Sequence, residues 1–347
     1  MEIFAKTRAL VRQGLVSGAY PAAALAIGRG SQTLVTECFG NCGEGTLFDL
    51  ASLSKVVSTT MIALRFLEEG RLALTDRVVD FFPEAPAEKQ SITIFHLMTH
   101  TGGISPFFFL SREAGGPDGA LEAILNRPLV QAVGVAPIYS CMGYILLGKI
   151  LEKVGGAPLD VLAQKWVFAP MGMTHTTYHP QGDVAPTERD IATGKLLQGV
   201  VHDENARFLQ GISGNAGVFS DIRDMRVFAA MLSRGGSPLL MPQTLAMALE
   251  NRTPQGPEHR GLGFQLAGSE GCFLGTELGS RAFGHTGFTG TSLAIAPDTG
   301  LWVVLLTNRV CPSRENTALI PLRRQIHDTA ARESRELSYP FPKESIS

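Results

Sequence analysis

Charged side chains are scarce: they make up 18% of the 347 residues, against about 25% in an average globular chain, which excludes a disordered segment or a solvated coiled coil. The charges also nearly cancel, with 30 basic against 32 acidic side chains and a formal charge of −2. A chain so balanced has no field to hold phosphate backbones or anionic membranes, so nucleic acid is excluded as a partner and a small-molecule substrate is expected. Cysteine is sparse and odd in number, at positions 38, 42, 141, 272 and 311, without a CxxC pair or the density of a disulfide scaffold. Reduced thiols are the simplest reading. No apolar run approaches the ~20 residues of a membrane span. The opening Met1-Glu2-Ile3-Phe4-Ala5-Lys6 has no basic stretch leading into an apolar one, which places the chain in the cytoplasm on sequence grounds. Internal repeats and low-complexity tracts are also missing.

What is present is apolar, at 44% hydrophobic residues, and long enough for one large domain or two fused lobes. Glu2 to Leu15 carries apolar positions at mixed three and four spacing and reads as a helix. Ala22 to Ile27 and Thr33 to Phe39, split by Gly28-Arg29-Gly30-Ser31, read as a hairpin. Helical periodicity returns over Ser52 to Leu67, Ile92 to Met98, Met142 to Val154, Leu159 to Phe168 and Ser220 to about Leu232. After Gly261 the period is that of strands, over Gly263–Ala267, Ala282–His285, Ser292–Ala296 and Leu301–Thr307, and a last helix fits Glu315 to Ala331.

Strands at both ends of the chain and helices between them predict an α+β fold: one antiparallel sheet flanked by N- and C-terminal helices, with a mainly helical lobe inserted. The expected boundaries are 1–75 with 255–335 for the sheet lobe, 76–254 for the helical lobe, and 336–347 for a tail. A cleft between the lobes is the expected place for a site.

Ser52-Leu53-Ser54-Lys55 puts a hydroxyl and an amine three residues apart, on one face of a helix start, where the dipole and free N–H groups favour negative charge. With eight lysines, a chain of this composition would carry one such S-x-x-K by chance about half the time, and Ser52 as a mere N-cap is the competing reading. Order supplies the corroboration. Tyr139-Ser140-Cys141 stands at the start of a predicted helix, and His285-Thr286-Gly287 at the end of a predicted late strand. With the surrounding Phe48-Asp49-Leu50-Ala51, Leu97-Met98-Thr99-His100-Thr101-Gly102-Gly103, Gly143-Tyr144-Ile145-Leu146-Leu147-Gly148 and Phe283-Gly284, these elements resemble the serine β-lactamase and penicillin-binding-protein family. The likeness is to the branch of class C β-lactamases, D-alanyl-D-alanine carboxypeptidases and related esterases. It runs from about Pro21 to Asn308.

That resemblance implies that Ser52 attacks an acyl carbonyl, that Lys55 and Tyr139 share the proton relay, and that the backbone N–H groups of Ser52 and Phe288 form the oxyanion hole. It implies a β-lactamase/transpeptidase-like fold and calls for no cofactor and no metal. Substrate contacts are expected from Cys141, His285, Thr286 and Gly287. Two of these depart from the lactamase pattern. Cys141 replaces an amide side chain with a weak thiol donor, and His285 replaces a lysine, so its pull on a substrate carboxylate is expected to fade above pH ~6.5. Both favour an ester or small-peptide hydrolase over a β-lactamase. A non-catalytic or acylation-only sensor of the same fold is the alternative from another class.

The stretches Val201 to Ala206 and Gly214 to Ser220 suggest a loop at the cleft rim with His202 and Asn205 near substrate, or else a purely structural loop. His96-x3-His100 and His175-x3-His179 have zinc-like spacing, but neither includes the glutamate of H-E-x-x-H, and Pro180 after His179 opposes a helix there. Phe107-Phe108-Phe109 reads as lobe packing before acyl pocket. A Cys141 nucleophile is disfavoured because Ser52 already lies ahead of Lys55.

Overall fold

The computed structural model describes residues 3–253 and 255–337. Glu2 of the first expected helix, residue 254 at the lobe boundary and 338–347 of the expected tail lie outside the described residues.

Six strands form an antiparallel sheet in the order β2-β1-β8-β7-β6-β5: β1 Ala22–Arg29, β2 Gln32–Gly40, β5 Gln265–Leu266, β6 Phe283–Thr286, β7 Ser292–Ala296 and β8 Leu301–Thr307. A separate pair, β3 Phe48–Asp49 with β4 Phe219–Ser220, lies outside that sheet. The order joins the two ends of the chain, since β1 pairs with β8 with Leu25 opposite Leu305. Both faces are buried, which is why β1, β7 and β8 read as nearly unbroken apolar runs.

Alternation sorts the faces. Ala23, Leu25, Ile27, Val303 and Leu305 pack in one core with Val11 and Ile326 of the N- and C-terminal helices Ala5–Val16 and Leu319–Glu336. Ala22, Ala24, Ala26, Val304 and Leu306 face the larger core that includes the helical region. The alanine stripe on β1 leaves room for helix Ile222–Ser233, whose N-cap Asp221 accepts the N–H of Asp224 at 2.9 Å. In the hairpin, Gly28 has no room for a side chain: a Cβ there would lie 2.0 Å from Trp302 Cζ2.

The architecture is α+β, as expected. The final helix starts four residues late because Arg309 Nη1 donates to the Arg314 and Asn316 carbonyls and holds that segment as a loop. No described helix is long and apolar enough to cross a membrane.

Candidate active site

Asp49 at the end of β3 is buried and accepts the N–H of Ala51 at 2.8 Å through Oδ1 and that of His202 at 2.7 Å through Oδ2. These bonds help fold the chain sharply ahead of Ser52, and Ala51 takes φ 47°, a left-handed conformation costly for any residue with a Cβ. The expectation of a regular helix start needs correcting here. Ser52 occupies a 3₁₀ turn, Ala51–Leu53, Lys55–Thr59 is a π-helical turn, and the α-helix begins only at Thr60. Nor is Ser52 a side-chain N-cap; its Oγ is committed to Lys55. Local hydrogen bonds account for the irregularity: Ser54 Oγ accepts from Val218 N at 3.0 Å and Thr59 Oγ1 donates to the Gly214 carbonyl at 2.8 Å.

Lys55 is fully buried. Its Nζ donates to Ser52 Oγ at 2.9 Å, to the Asn215 carbonyl at 2.9 Å and to Cys141 Sγ at 3.5 Å. Tyr139 completes the group: Lys55 Nζ lies 5.0 Å from its ring centroid, and Lys55 and Ser52 both act on the ionisation of its phenol. The hydroxyl, amine and phenol therefore meet, and Ser52, Tyr139 and Cys141 all remain partly open to solvent.

Electrostatics sets the resting protonation. Burial works against the Lys55 charge, but Cys141 and Tyr139 facing it raise its pKa above the ordinary lysine range. Burial raises the Tyr139 pKa too, with Lys55 opposing. An ammonium with three acceptors beside a neutral phenol is the form that satisfies both.

Three features hold Tyr139. His100, itself at φ 60°, lies between the Tyr139 and Tyr144 rings at centroid distances of 4.6 and 5.0 Å, and its Nδ1 accepts the N–H of Ser140 at 3.1 Å. Burial holds His100 neutral, well below the usual histidine range. The buried guanidinium of Arg260 lies 5.3 Å from the Tyr139 ring centroid. Ser140 Oγ accepts the N–H of Gly143 at 2.9 Å and so caps helix Cys141–Gly155.

Opposite stands the turn 287–291. Thr289 and Thr291 hydroxyls donate to the carbonyls of Asp49 (2.7 Å) and Leu50 (3.0 Å), tying the turn to the strand that leads to Ser52. Gly287 is obligatory, as a Cβ there would lie 2.1 Å from Thr291 Oγ1 and 2.3 Å from the Leu50 carbonyl. Among the described residues, neither the Ser52 nor the Phe288 N–H has a protein acceptor.

Three expectations change. His285 is not a titrating cation near neutrality: it is buried, its Nδ1 bonds to the Thr286 carbonyl at 2.8 Å, and burial with Arg260 and Lys55 nearby pushes its pKa down to about 3. Its Nε2 has no partner among the described residues, and Tyr139 lies 5.9 Å away, centroid to centroid. His202 and Asn205 are buried ties in place of rim contacts. His202 Nε2 pairs with Glu188 at 3.0 Å under the Phe288 ring, while Asn205 bonds the Leu110 N–H and the Phe108 carbonyl. Of the aromatic run, Phe108 is buried and Phe107 is exposed.

Of the histidine pairs at zinc-like spacing, His96 and His100 each accept a backbone N–H through Nδ1, from Thr93 and Ser140, and the second pair is split. His179 bonds Asp160 at 2.7 Å, whereas His175 faces Asp221 and Asp224, whose oxygens already serve Arg223, Thr176 and backbone N–H groups. Asp49, Asn215 and Arg260 were missed in the sequence because each acts across a long chain separation; only the Gly214-Asn215 turn gave a local signal.

The beta-lactamase family model matches residues 7–328. The chain belongs to that family. Among curated relatives, the N-acetylmuramyl-L-alanine amidase of Bacillus subtilis (strain 168) is 32% identical over 302 residues, covering 76% of this chain and 68% of the relative. A putative D-alanyl-D-alanine carboxypeptidase of Escherichia coli (strain K12) is 31% identical over 303 residues, covering 76% and 69%. In fold, the beta-lactamase-family chain is similar to unliganded simvastatin synthase from Aspergillus terreus (TM-score 0.77, 22% identity, 98% and 100% covered). It is also similar to EstCE1, a hydrolase with promiscuous acyltransferase activity (TM-score 0.76, 23% identity, 94% and 98% covered). The protein is thus a hydrolase of the serine beta-lactamase and penicillin-binding-protein superfamily.

Proposed function

We propose that the protein is a serine hydrolase working through an acyl-enzyme on an ester or a small peptide, of the D-amino-acid or cell-wall-derived kind. One observation carries this: Ser52 Oγ lies 2.9 Å from the buried Lys55 Nζ, which in turn lies 5.0 Å from the Tyr139 ring centroid. Ser52 Oγ attacks the acyl carbonyl, and the Ser52 and Phe288 N–H groups receive the developing oxyanion. A protonated Lys55 has no lone pair to offer, so Tyr139, ionised beside that cation, takes the Ser52 proton and returns it to the leaving group. The acyl bond to Ser52 is then broken by a water that Tyr139 deprotonates. Thr286, Gly287 and Cys141 line the acyl site.

Amide-cleaving names among the relatives support the peptide reading. Cys141 supports the ester: its sulfur accepts from Lys55 and offers substrate no amide group. The same residue, with neutral His285, disfavours a β-lactamase and sustains the second reading, a sensor that acylates without turnover.

Intact-protein mass spectrometry with a chromogenic ester, a D-alanyl dipeptide and a cephalosporin separates these readings. We expect a transient adduct and steady turnover on the ester, both lost in Ser52→Ala. A stable adduct without turnover identifies the sensor, and no adduct with any substrate overturns the hydrolase.

A further inference from the structure

Behind the Phe288 turn, where the C-terminal helix packs on the sheet, lies a group of buried cations that the acyl chemistry does not use. Arg323, on that helix, is 7% exposed and has no hydrogen-bond or ion-pair partner among the described residues; its Nε is enclosed and unpartnered. Arg309, 6% exposed, gives Nη1 to two backbone carbonyls and lies 4.8 Å from the Phe288 ring centroid, again without a carboxylate in contact among the described residues. The carboxylate nearest in influence, Glu188, is already bonded to Arg314 and His202. Thr307 Oγ1 is buried and has no partner among the described residues either.

These groups converge. A Cβ on Gly290 would lie 2.1 Å from Thr307 Oγ1, 3.0 Å from Arg309 Cγ and 3.0 Å from Leu319 Cδ2, so strand end, loop and helix start meet there. Arg323 is one helical turn beyond Leu319, on the same face. The neighbouring His327 cannot serve Arg323, since its Nδ1 bonds the Phe273 carbonyl at 3.0 Å and its Nε2 faces Ser292 Oγ at 3.4 Å. Burial, with Arg309 nearby, pushes the Arg323 pKa down to about 10, which leaves it cationic at neutral pH. Two buried guanidiniums acting on each other, with no counter-charge in contact among the described residues, are strongly unfavourable. A water can satisfy an N–H but cannot neutralise the charge.

We propose that Arg323, Arg309 and Thr307 form a binding site for a small anion, a carboxylate or a halide, at the seam between the C-terminal helix, the end of β8 and the 287–291 turn. Guanidinium and hydroxyl donors supply charge-assisted hydrogen bonds, and the tight surroundings select a small anion over a bulky one.

The test is thermal unfolding of the full chain in sodium gluconate, with gluconate replaced by chloride or by acetate at constant ionic strength. A saturable rise in Tm is expected, about 2 °C at tenfold excess over Kd for a chain of this length. Arg323→Met should abolish the rise and be no less stable than wild type in gluconate, having lost an unpaired buried charge. Saturation by acetate alone assigns a carboxylate, and saturation by both anions a general monoanion site. No rise, or equal shifts in wild type and Arg323→Met, overturns the proposal. Should Arg323→Met fail to fold, chloride-35 line broadening of wild type against Thr307→Val decides: saturable broadening weakened several-fold in the variant supports the site, and identical broadening refutes it.

Discussion

Replacing Lys55 by Met separates what the buried amine does for chemistry from what it does for stability. The stem lengths are similar, so packing in the fully buried slot is largely kept. Two opposing terms then decide the stability. The Asn215 carbonyl, which accepts from Nζ at 2.9 Å, loses its donor, at a cost of about 1–3 kcal/mol. Against this, an ammonium no longer has to be desolvated, a saving of several kcal/mol that its acceptors and the facing Tyr139 at present offset, as its raised pKa shows. The difference should fall within about 2 kcal/mol of zero. With unfolding entropy near 2.1 cal/mol/K per residue, 347 residues give roughly 0.7 kcal/mol/K, so Tm should move by less than about 3 °C either way. Acylation is another matter: Ser52 loses its hydrogen-bonded cation and Tyr139 the charge that favours its phenolate, so the rate should fall by about 10³-fold or more. Calorimetry paired with stopped-flow acylation by a chromogenic ester measures both. A Tm drop well beyond 3 °C, or acylation within tenfold of wild type, would refute the account of Lys55 as a group kept for catalysis with little net effect on stability.

Gly287→Ala forces a Cβ to 2.3 Å from the Leu50 carbonyl, so the turn must shift; kcat/KM should fall by about 10²-fold with some loss of Tm, and unchanged kinetics would detach the turn from the oxyanion site. For neutral esters, kcat/KM should climb by about tenfold per pH unit between pH 6 and 9, because a base with a raised pKa is ionised in proportion to rising pH; a plateau from pH 6 upward would rule out Tyr139 as that base. His327 is held neutral by burial, with its pKa pushed down to about 4, so the unfolded chain takes the proton first as pH falls. Its share of stability, whole above pH 6.5, should be lost towards pH 4, a difference of about 3 kcal/mol, and His327→Gln should flatten the stability profile measured by urea unfolding over that window. Equal acid slopes in the two proteins would contradict it. Cys141→Asn restores an amide beside Lys55 and should raise the ratio of D-alanyl peptide to ester turnover by about tenfold, the worth of one good hydrogen bond; an unchanged ratio removes Cys141 as the reason for an ester preference.

Much of the sheet could be read in advance because a strand buried on both faces leaves a continuous apolar run, as Leu301–Thr307 does, and hairpin glycines mark its ends. Helix Ile222–Ser233 was legible for a similar reason: its start is signalled by the cap residue Asp221. The 3₁₀ and π turns around Ser52 were not, since Ser52 to Leu67 keeps helical spacing whichever hydrogen bond each carbonyl accepts, and partners as remote as Val218 and Gly214 set the irregular start. His202 and Asn205 misled because polar residues in a glycine-rich loop read alike whether they point to a ligand or tie backbone.

Residue types and their order along the chain sufficed to name Ser52, Lys55 and Tyr139 as one group and to expect both termini in a single sheet, because motif and periodicity are local properties of the chain. Ionisation lay beyond them. Whether Lys55 rests charged, why His285 stays neutral and where Arg323 lacks a partner depend on burial and on charges brought close from distant positions. Desolvation and Coulomb energy are functions of distance in the folded molecule, and no one-dimensional spacing encodes them.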